Sequence, residues 1–338
     1  MAQRTTIQDI ARHLGVSKGT VSMALNDAPG VNADTRQRVK DYARSVRYRP
    51  NKLARAINTG RSHLVAVLLS RLTDSFYEEV VQGIENVAAQ RGYDIIVSSV
   101  VGSSANSRSR NADELVDRLI SRQVDGIIGS IYSLPETAMG QLNEAGVAIL
   151  YLGPEPIPEE VSVTVDNVLG GRLAAEHLYE LGHRRVLFVG GDERFGFLRS
   201  QGAGMLLAER DGAHLEVRVL DGEPDMEAAY YAMATRLRAR RDFTAVFCAS
   251  DLIAVGVCKA LQDAGVSVPG DVSVVGFDDL RWAKLITPAL TTVHQPQVSQ
   301  GEAAMDLLVR RIEDGSAPSR VLTPRLIVRD STGPAPGA

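Results

Sequence analysis

Between Ser17 and Asn26 the chain gathers hydroxyls, an ammonium, an amide and a thioether in one short run: Ser17, Lys18, Gly19, Thr20, Ser22, Met23 and Asn26. Hydroxyls and amides donate to phosphate oxygens, a lysine donates to guanine O6 or N7, and a thioether touches a thymine methyl or excludes water. The chemistry on offer is recognition of a polyanion. Charge agrees with it. Residues 1–61 hold 12 Lys or Arg against 4 Asp or Glu, a net of +8, whereas the whole chain stands at -4, which leaves -12 on residues 62–338. A small basic head on an acidic body points to a polyanion partner for the head alone. A charge run is ordinarily a solvated face, and it is the order of residues inside the head that argues otherwise.

The elements that must position this run are short helices. Thr6 caps a first helix and Asp9, three places on, completes a capping box, with Ile7, Ile10, Ala11 and Leu14 on one face. Gly15 stops it, Ser17 caps again, and Thr20, Val21, Ala24 and Leu25 continue at helical spacing. Two helices separated by about three residues make a helix-turn-helix, whose second helix meets base edges. A third helix starts at Asn32 or Asp34 and turns Val39, Tyr42, Ala43 and Val46 inward. Pro50 suits a first helical position, and Asn58-Thr59-Gly60 ends a fourth segment over Asn51 to Ile57. So short a helix is marginal alone in water and is expected to order only against a partner surface.

The strings Thr-Ile-Gln-Asp-Ile-Ala at 6–11, Gly-Val-Ser at 15–17, Thr-Val-Ser at 20–22, Asn26, and Tyr-Arg-Pro-Asn at 48–51 with Ala54-Arg55 make the chain resemble the lactose-repressor (LacI/GalR) family. The resemblance implies that Lys18, Gly19 and Met23 read bases. It implies that Thr6, Ser17, Thr20, Ser22, Asn26, Asn32, Thr35, Tyr48 and Asn51 mostly grip the DNA backbone, and it places Arg55 in the DNA-binding set. It also implies that the fourth segment is a hinge helix, paired with its dimer mate in the minor groove, with Ile57 as the apolar wedge. The family often has Arg where Met23 stands and larger side chains where Gly19 stands, so the operator sequence stays open.

Beyond the head, apolar runs alternate with amphipathic stretches. The expected series is a strand at 64–69, a helix at 76–91, a strand at 94–99, a helix at 113–122, a strand at 126–131, a helix at 137–144 and a strand at 147–152. A second series begins near Val161 and ends with a strand at 272–276. Such alternation implies parallel sheets covered by helices, and two series imply two lobes. The strings Gly83-Ile84-Glu85, Val165-Asp166-Asn167, Ser250-Asp251 and above all residues 269–279 resemble the periplasmic-binding-protein-like effector domain of the same family. The expected fold is therefore an all-α helix-turn-helix headpiece (1–49), a hinge helix and linker (50–61), an α/β bilobal effector and dimerisation domain with two parallel sheets (62–330), and a tail (331–338).

In bilobal folds of this kind ligands lie between the lobes at the carboxyl ends of strands. Position by position, the resemblance carries effector binding onto Arg199, Ser250 and Asp278, with Phe76 or Tyr77 as an apolar wall. Met226 occupies the neighbourhood where sugar-responsive relatives place a stacking aromatic, and Gly153 stands where some carry an acidic sugar ligand. The effector class stays open among sugars, sugar derivatives, nucleosides and similar small molecules, and the chain without any effector stays open too.

Two rivals are a binding protein without a DNA role and a nucleotide-binding α/β enzyme. Against the enzyme, Val189-Gly190-Gly191-Asp192 lacks the spaced glycines of a dinucleotide fingerprint and the Lys-Ser or Lys-Thr of a phosphate loop. The six histidines form no close pair at metal-ligand spacing, with His177 and His183 expected to pack or cap, and Cys248 and Cys258 read as inert core thiols. No cofactor and no metal are expected. The start of the chain has no signal-peptide core and no apolar run reaches bilayer length, so a cytoplasmic protein without membrane contact is expected. A single head reads few base pairs, which implies a homodimer on a roughly palindromic operator. The residues after Asp330 hold no heptads, which argues against a tetramerisation helix.

Overall fold

Thr6 opens the first helix as the sequence predicts. In the computed structural model its hydroxyl accepts from the Asp9 amide at 3.3 Å, while the Asp9 carboxylate accepts from the Thr6 amide at 3.0 Å. The structure describes residues 5–25, 27–48, 60–70, 74–99, 105–129 (side chains from 112 in that stretch), 134–158, 160–191, 194–220 and 224–337. The chain divides into two compact units, Met1–Ser62 and His63–Ala338.

The first unit contains α1 (Ile7–Leu14), α2 (Lys18–Leu25) and α3 (Ala33–Ser45). Gly15 ends α1 at φ 66, a left-handed conformation a side chain would resist. Ser17 caps α2 by accepting from the Thr20 amide at 3.0 Å, and Asn32, not Asp34, caps α3 by accepting from the Thr35 amide at 2.7 Å. Ile10, Ala11, Val21, Ala24, Val39 and Ala43 form the buried core, at positions the spacing predicts. The expected hinge helix, Asn51 to Ile57, lies outside the described residues.

The second unit is two sheets with helices on their faces. Its elements are β1 (Leu64–Leu69), α4 (Phe76–Arg91), β2 (Asp94–Ser99), α5 (Ala105–Ser121), β3 (Gly126–Gly129), α6 (Glu136–Glu144), β4 (Ala148–Gly153) and β5 (Ser162–Val165). Then come α7 (Asn167–Glu180), β6 (Arg185–Gly190), α8 (Arg194–Ala208), β7 (His214–Val219), α9 (Met226–Ala239), β8 (Ala245–Cys248), α10 (Asp251–Asp263) and β9 (Ser273–Asp278). Last are β10 (Thr291–His294), α11 (Gln297–Asp314), β11 (Arg320–Leu322) and β12 (Arg325–Ile327). One sheet runs β11-β5-β4-β3-β1-β2, the other β12-β10-β9-β8-β6-β7. Every described pairing is parallel except β10 with β12, so the second sheet is mixed where a purely parallel one is expected.

The lobes do not divide in chain order. β5, expected to start the second lobe, pairs with β4 in the first sheet, and Val163 and Val165 pack into the first lobe's core. The reason is that alternation along a chain reports elements, not sheet membership. The connections after β5, after β10 and between β11 and β12 carry the chain from one lobe to the other. α11, for which the sequence reading has no element, returns to the first lobe and buries Ala304, Met305, Leu308 and Val309 beside Val80 and Ile84 of α4. Residues 331–335, expected as a tail, are built into the second lobe. Ser331 Oγ donates to the Val274 carbonyl at 2.6 Å, and the Ala335 amide donates to the Leu181 carbonyl at 2.8 Å.

α4 and α11 cross at a pair of glycines. A Cβ on Gly301 would collide with the Val80 carbonyl, and one on Gly83 with the Val298 carbonyl. On α6 an added Cβ at Gly140 meets nothing within 4 Å. Gly301→Ala is expected to destabilise the second unit by about 1–3 kcal/mol through overpacking, and Gly140→Ala to be neutral or to stabilise it by up to about 1 kcal/mol. Thermal melts of both variants check the contrast, and equal melting temperatures would refute the close crossing.

Candidate functional site

The outer face of α2 follows from how its inner face is held. Val21 and Ala24 are in the core, which leaves Ser17, Lys18, Gly19 and Met23 exposed and Thr20 and Ser22 half-buried. Lys18 forms no ion pair among the described residues, whereas Asp27 takes both Lys40 at 2.6 Å and Arg36 at 3.1 Å. Those hydrogen bonds, Lys40's first and then Arg36's, hold the Asp27 carboxyl below its ordinary range. Lys40 and Arg36 thus share one carboxylate while Lys18 stands clear.

Three residues expected to grip phosphates, Thr6, Ser17 and Asn32, cap the N-termini of α1, α2 and α3. The positive end of a helix dipole and the free first-turn amides favour an anion at those places. Thr35 supplies the amide that Asn32 accepts, and Tyr48 is half-buried against the headpiece core. Asn26, Asn51, Arg55 and Ile57 lie outside the described residues.

In the second unit, Phe76 and Tyr77 begin α4 with rings in an edge contact, centroids 5.3 Å apart. They line a narrow crevice with Leu152 and Gly153 of the first lobe and Asn167, Phe195 and Gln295 toward the second. A Cβ on Gly153 would run into the Tyr151 ring, so that wall is backbone alone. A second narrow crevice shares Phe76 and continues to Trp282 and Gln297.

Arg199 is placed by the crossing of α7 and α8, where Cβ atoms on Gly171 and Gly202 would strike the Arg199 and Val168 carbonyls. Its Nε donates to Asn167 Oδ1 at 2.8 Å, an Nη donates to the Ala249 carbonyl, and the guanidinium lies 3.7 Å from the centre of the Phe277 ring. The same Nη is 3.6 Å from the Asp278 carboxylate, and both side chains are buried. Asp278 accepts from Gln295 Nε2 at 2.6 Å and sits at φ 117, and its carbonyl accepts from Gln297 Nε2. Burial pushes its carboxyl up to about 7; the Arg199 charge opposes the rise, Asp74 adds to it and the Gln295 hydrogen bond opposes it. Asp251 accepts from Thr292 Oγ1 at 2.6 Å and from the Leu280 amide at 2.7 Å. Burial, and then the Asp278 charge, push the Asp251 carboxyl well above its ordinary range.

The structure thus pairs Arg199 with Asp278 behind the crevice that Phe76 and Tyr77 line, joined to it by Asn167 and Gln295. It gives the other two candidates different places: the Ser250 hydroxyl caps α10 by accepting from the Ile253 amide at 3.3 Å, and Met226 begins α9 with 46 % of its surface exposed. Sequence reasoning missed Asn167, Gln295, Gln297 and Gln300, all at lobe crossings. The available signal was the run Gln295-Pro296-Gln297 with Gln300 one turn on, just before the apolar period of α11.

The remaining chemistry-bearing side chains are structural. Burial raises both thiols, Cys258 up to about 12 and Cys248 well above its ordinary range, which disfavours the thiolate. His183 contacts Thr244 Oγ1 at 2.9 Å and Ser273 Oγ at 3.0 Å, and His177 contacts Thr332 Oγ1 at 2.9 Å; burial lowers both imidazoles. Among the described residues no group of His, Cys, Asp and Glu is placed to hold a metal ion, and no helix is long and apolar enough to cross a membrane.

Comparison with known proteins agrees with both units. Residues 6–51 match the model of the bacterial regulatory proteins of the lacI family, and residues 175–332 match a periplasmic binding protein-like domain. The transcriptional regulator RegA of Clostridium saccharobutylicum is 32 % identical over 341 residues, covering 97 % of this chain and 99 % of its own length. The transcriptional repressor PurR of Klebsiella pneumoniae subsp. pneumoniae is 29 % identical over 340 residues, covering 98 % of each chain. Among solved structures, the lac repressor dimer bound to operator and the anti-inducer ONPF superposes with a TM-score of 0.84 at 27 % identity, over 98 % of this chain and 100 % of that one. With identity of this order sustained from the headpiece through both lobes, the chain belongs to the LacI family of bacterial regulatory proteins.

Proposed function

We propose that the protein is a repressor that binds a roughly palindromic operator as a homodimer, with a small molecule in the interlobe crevice adjusting its affinity for DNA. The observation that carries this is the exposed face of α2, where Lys18, Gly19 and Met23 stand clear of carboxylates beside capped helix N-termini. Lys18 reads a guanine, Met23 a thymine methyl, and Thr6, Ser17, Thr20, Ser22, Asn26, Asn32, Thr35, Tyr48, Asn51 and Arg55 hold the backbone. Ile57 wedges between central base steps once two hinge segments pair. The working division is a headpiece over 1–49, a hinge over 50–61 and an effector and dimerisation domain from 62. The protein acts by binding and not by catalysis, in the cytoplasm.

The effector lies against Phe76 and Tyr77 and exchanges hydrogen bonds with Arg199 and Asp278, as inducer or as corepressor. The lac repressor structure, whose crystal contains operator and an anti-inducer, supports a ligand in this fold acting on DNA affinity. Met226 and Ser250 complete the candidate set.

Binding-site selection followed by titration across salt concentrations tests the DNA reading. Affinity for the selected duplex is expected to fall steeply with salt through counterion release, and a flat response would remove DNA as the partner. Lys18→Ala is expected to lose about 1–3 kcal/mol of discrimination at one base pair per half-site, and an unchanged consensus would refute the assignment.

A second expectation comes from Asp278. Its carboxyl is raised to about 7 in the fold against an ordinary 3.8, so between those values the folded chain holds a proton the unfolded chain releases. The stability tied to that proton is complete below the lower value and is lost as pH rises through the upper one. The change in melting temperature caused by Asp278→Asn should therefore be more favourable at pH ~8 than at pH ~5. A variant with the wild-type pH slope would show that the titration lies elsewhere.

A further inference from the structure

Around the crevice, the donors of Arg199, Asn167, Gln295 and Gln297 are engaged within the protein. Arg199 donates to Asn167 and Ala249 and faces Asp278. Asn167 Nδ2 donates to the Pro154 carbonyl at 2.8 Å and the Val165 carbonyl at 3.1 Å, Gln295 Nε2 donates to Asp278, and Gln297 Nε2 donates to the Asp278 carbonyl. Acceptors are left over. Gln297 Oε1 and Gln300 Oε1 are buried with no hydrogen-bond partner among the described residues, on side chains only 2 % and 5 % exposed.

The two glutamines are three apart on the first turn of α11 and therefore share a face. Gln297 lines one crevice, Gln300 the other, and Phe76 lines both. For Gln297 the orientation of the amide follows from chemistry: only its nitrogen can donate to the Asp278 carbonyl, so its oxygen is the unpaired atom. A buried acceptor without a partner is costly, and such atoms in a native protein call for a reason. Here they stand where the lobes must part to admit a ligand.

We propose that Gln297 and Gln300 are specificity-determining residues that select an uncharged, donor-rich effector, with hydroxyl or ring N–H groups, against anionic relatives of the same size. The inference rests on the reading that the crevice takes an effector, and adds to it which chemistry is admitted. An anion would bring further acceptors to a wall where the Glu78 and Glu79 carboxylates outnumber the Arg281 guanidinium, while the Arg199 guanidinium is already held by Asn167, Ala249 and Asp278. A neutral ring with a donor edge can lie on Phe76 and supply the missing protons.

The test uses the full chain, with melting temperature and calorimetric affinity as readouts and paired probes: ribose and ribose 5-phosphate, glucose and glucose 6-phosphate, adenosine and AMP. At least one neutral probe is expected to bind about tenfold or more tightly than its phosphorylated partner. A response confined to the sugars identifies hydroxyls as the donors, and one confined to adenosine identifies the base. Gln300→Leu should weaken that neutral probe about tenfold while leaving the ligand-free melting temperature equal or higher, because it deletes an unpaired acceptor. Tighter binding of the phosphorylated partner, or wild-type affinity in Gln300→Leu, overturns the proposal, as does a large fall in ligand-free melting temperature, which marks Gln300 as structural. Silence from all probes, with operator binding intact, overturns instead the effector reading beneath it.

Discussion

A carboxylate cannot be buried without partners, and the partners of Asp278 set the layout of the crevice. Its side chain meets Arg199 from α8 and Gln295 from the connection after β10, and its carbonyl meets Gln297 at the start of α11. Each partner is itself held: Arg199 by Asn167, Ala249 and the Phe277 ring, Gln297 by a helix sunk in the other lobe's core. Removing one member of such a network leaves the others desolvated and unpaired, so its members stand or fall together. That is also why Asp278 accepts a left-handed backbone, at φ 117: the surroundings over-determine it.

The headpiece obeys a simpler constraint. Three short helices, two of only eight residues, bury a small core, and helices of that length need help at their ends. Thr6, Ser17 and Asn32 provide it by satisfying first-turn amides. Caps of this kind leave a short polar residue at the positive end of every helix, which is where a phosphate oxygen is most readily accepted. The residues that make the fold possible thus also mark the places where an anion would be favoured, and the basic excess of the head would add range to such a contact.

What was legible in the sequence was what is local in the chain. The capping box, Gly15 and the inward residues of the three helices depend on spacings of three and four, and they stand where the pattern places them. The strand at 94–99 and the helix at 76–91 were legible to the residue for the same reason. What was not legible depends on pairing across the chain. β5 carries no mark of the sheet it joins, and the three crossings between lobes have no periodicity of their own. Ser331 and Ala335 resemble a tail because their hydrogen bonds run to Val274 and Leu181, more than fifty residues away. At the site, Arg199 and Asp278 could be carried over from motif strings, but Gln297 and Gln300 acquire meaning only once α11 is known to begin at a crossing.

That crossing is where a ligand can act on the shape of the second unit. Gln297 belongs to a helix of the first lobe and hydrogen-bonds the backbone of the second, so its bond registers the separation of the lobes. A ligand changes an equilibrium between lobe arrangements only by its differential affinity for them. A molecule held by Phe76 on one lobe and Asp278 on the other has such a difference, because it loses one set of contacts whenever the lobes part. Coupling of this kind is ordinarily worth about 1–3 kcal/mol, comparable to a few hydrogen bonds. Gaining or losing donors to two buried amide oxygens is therefore enough to carry it, without any rearrangement inside either sheet.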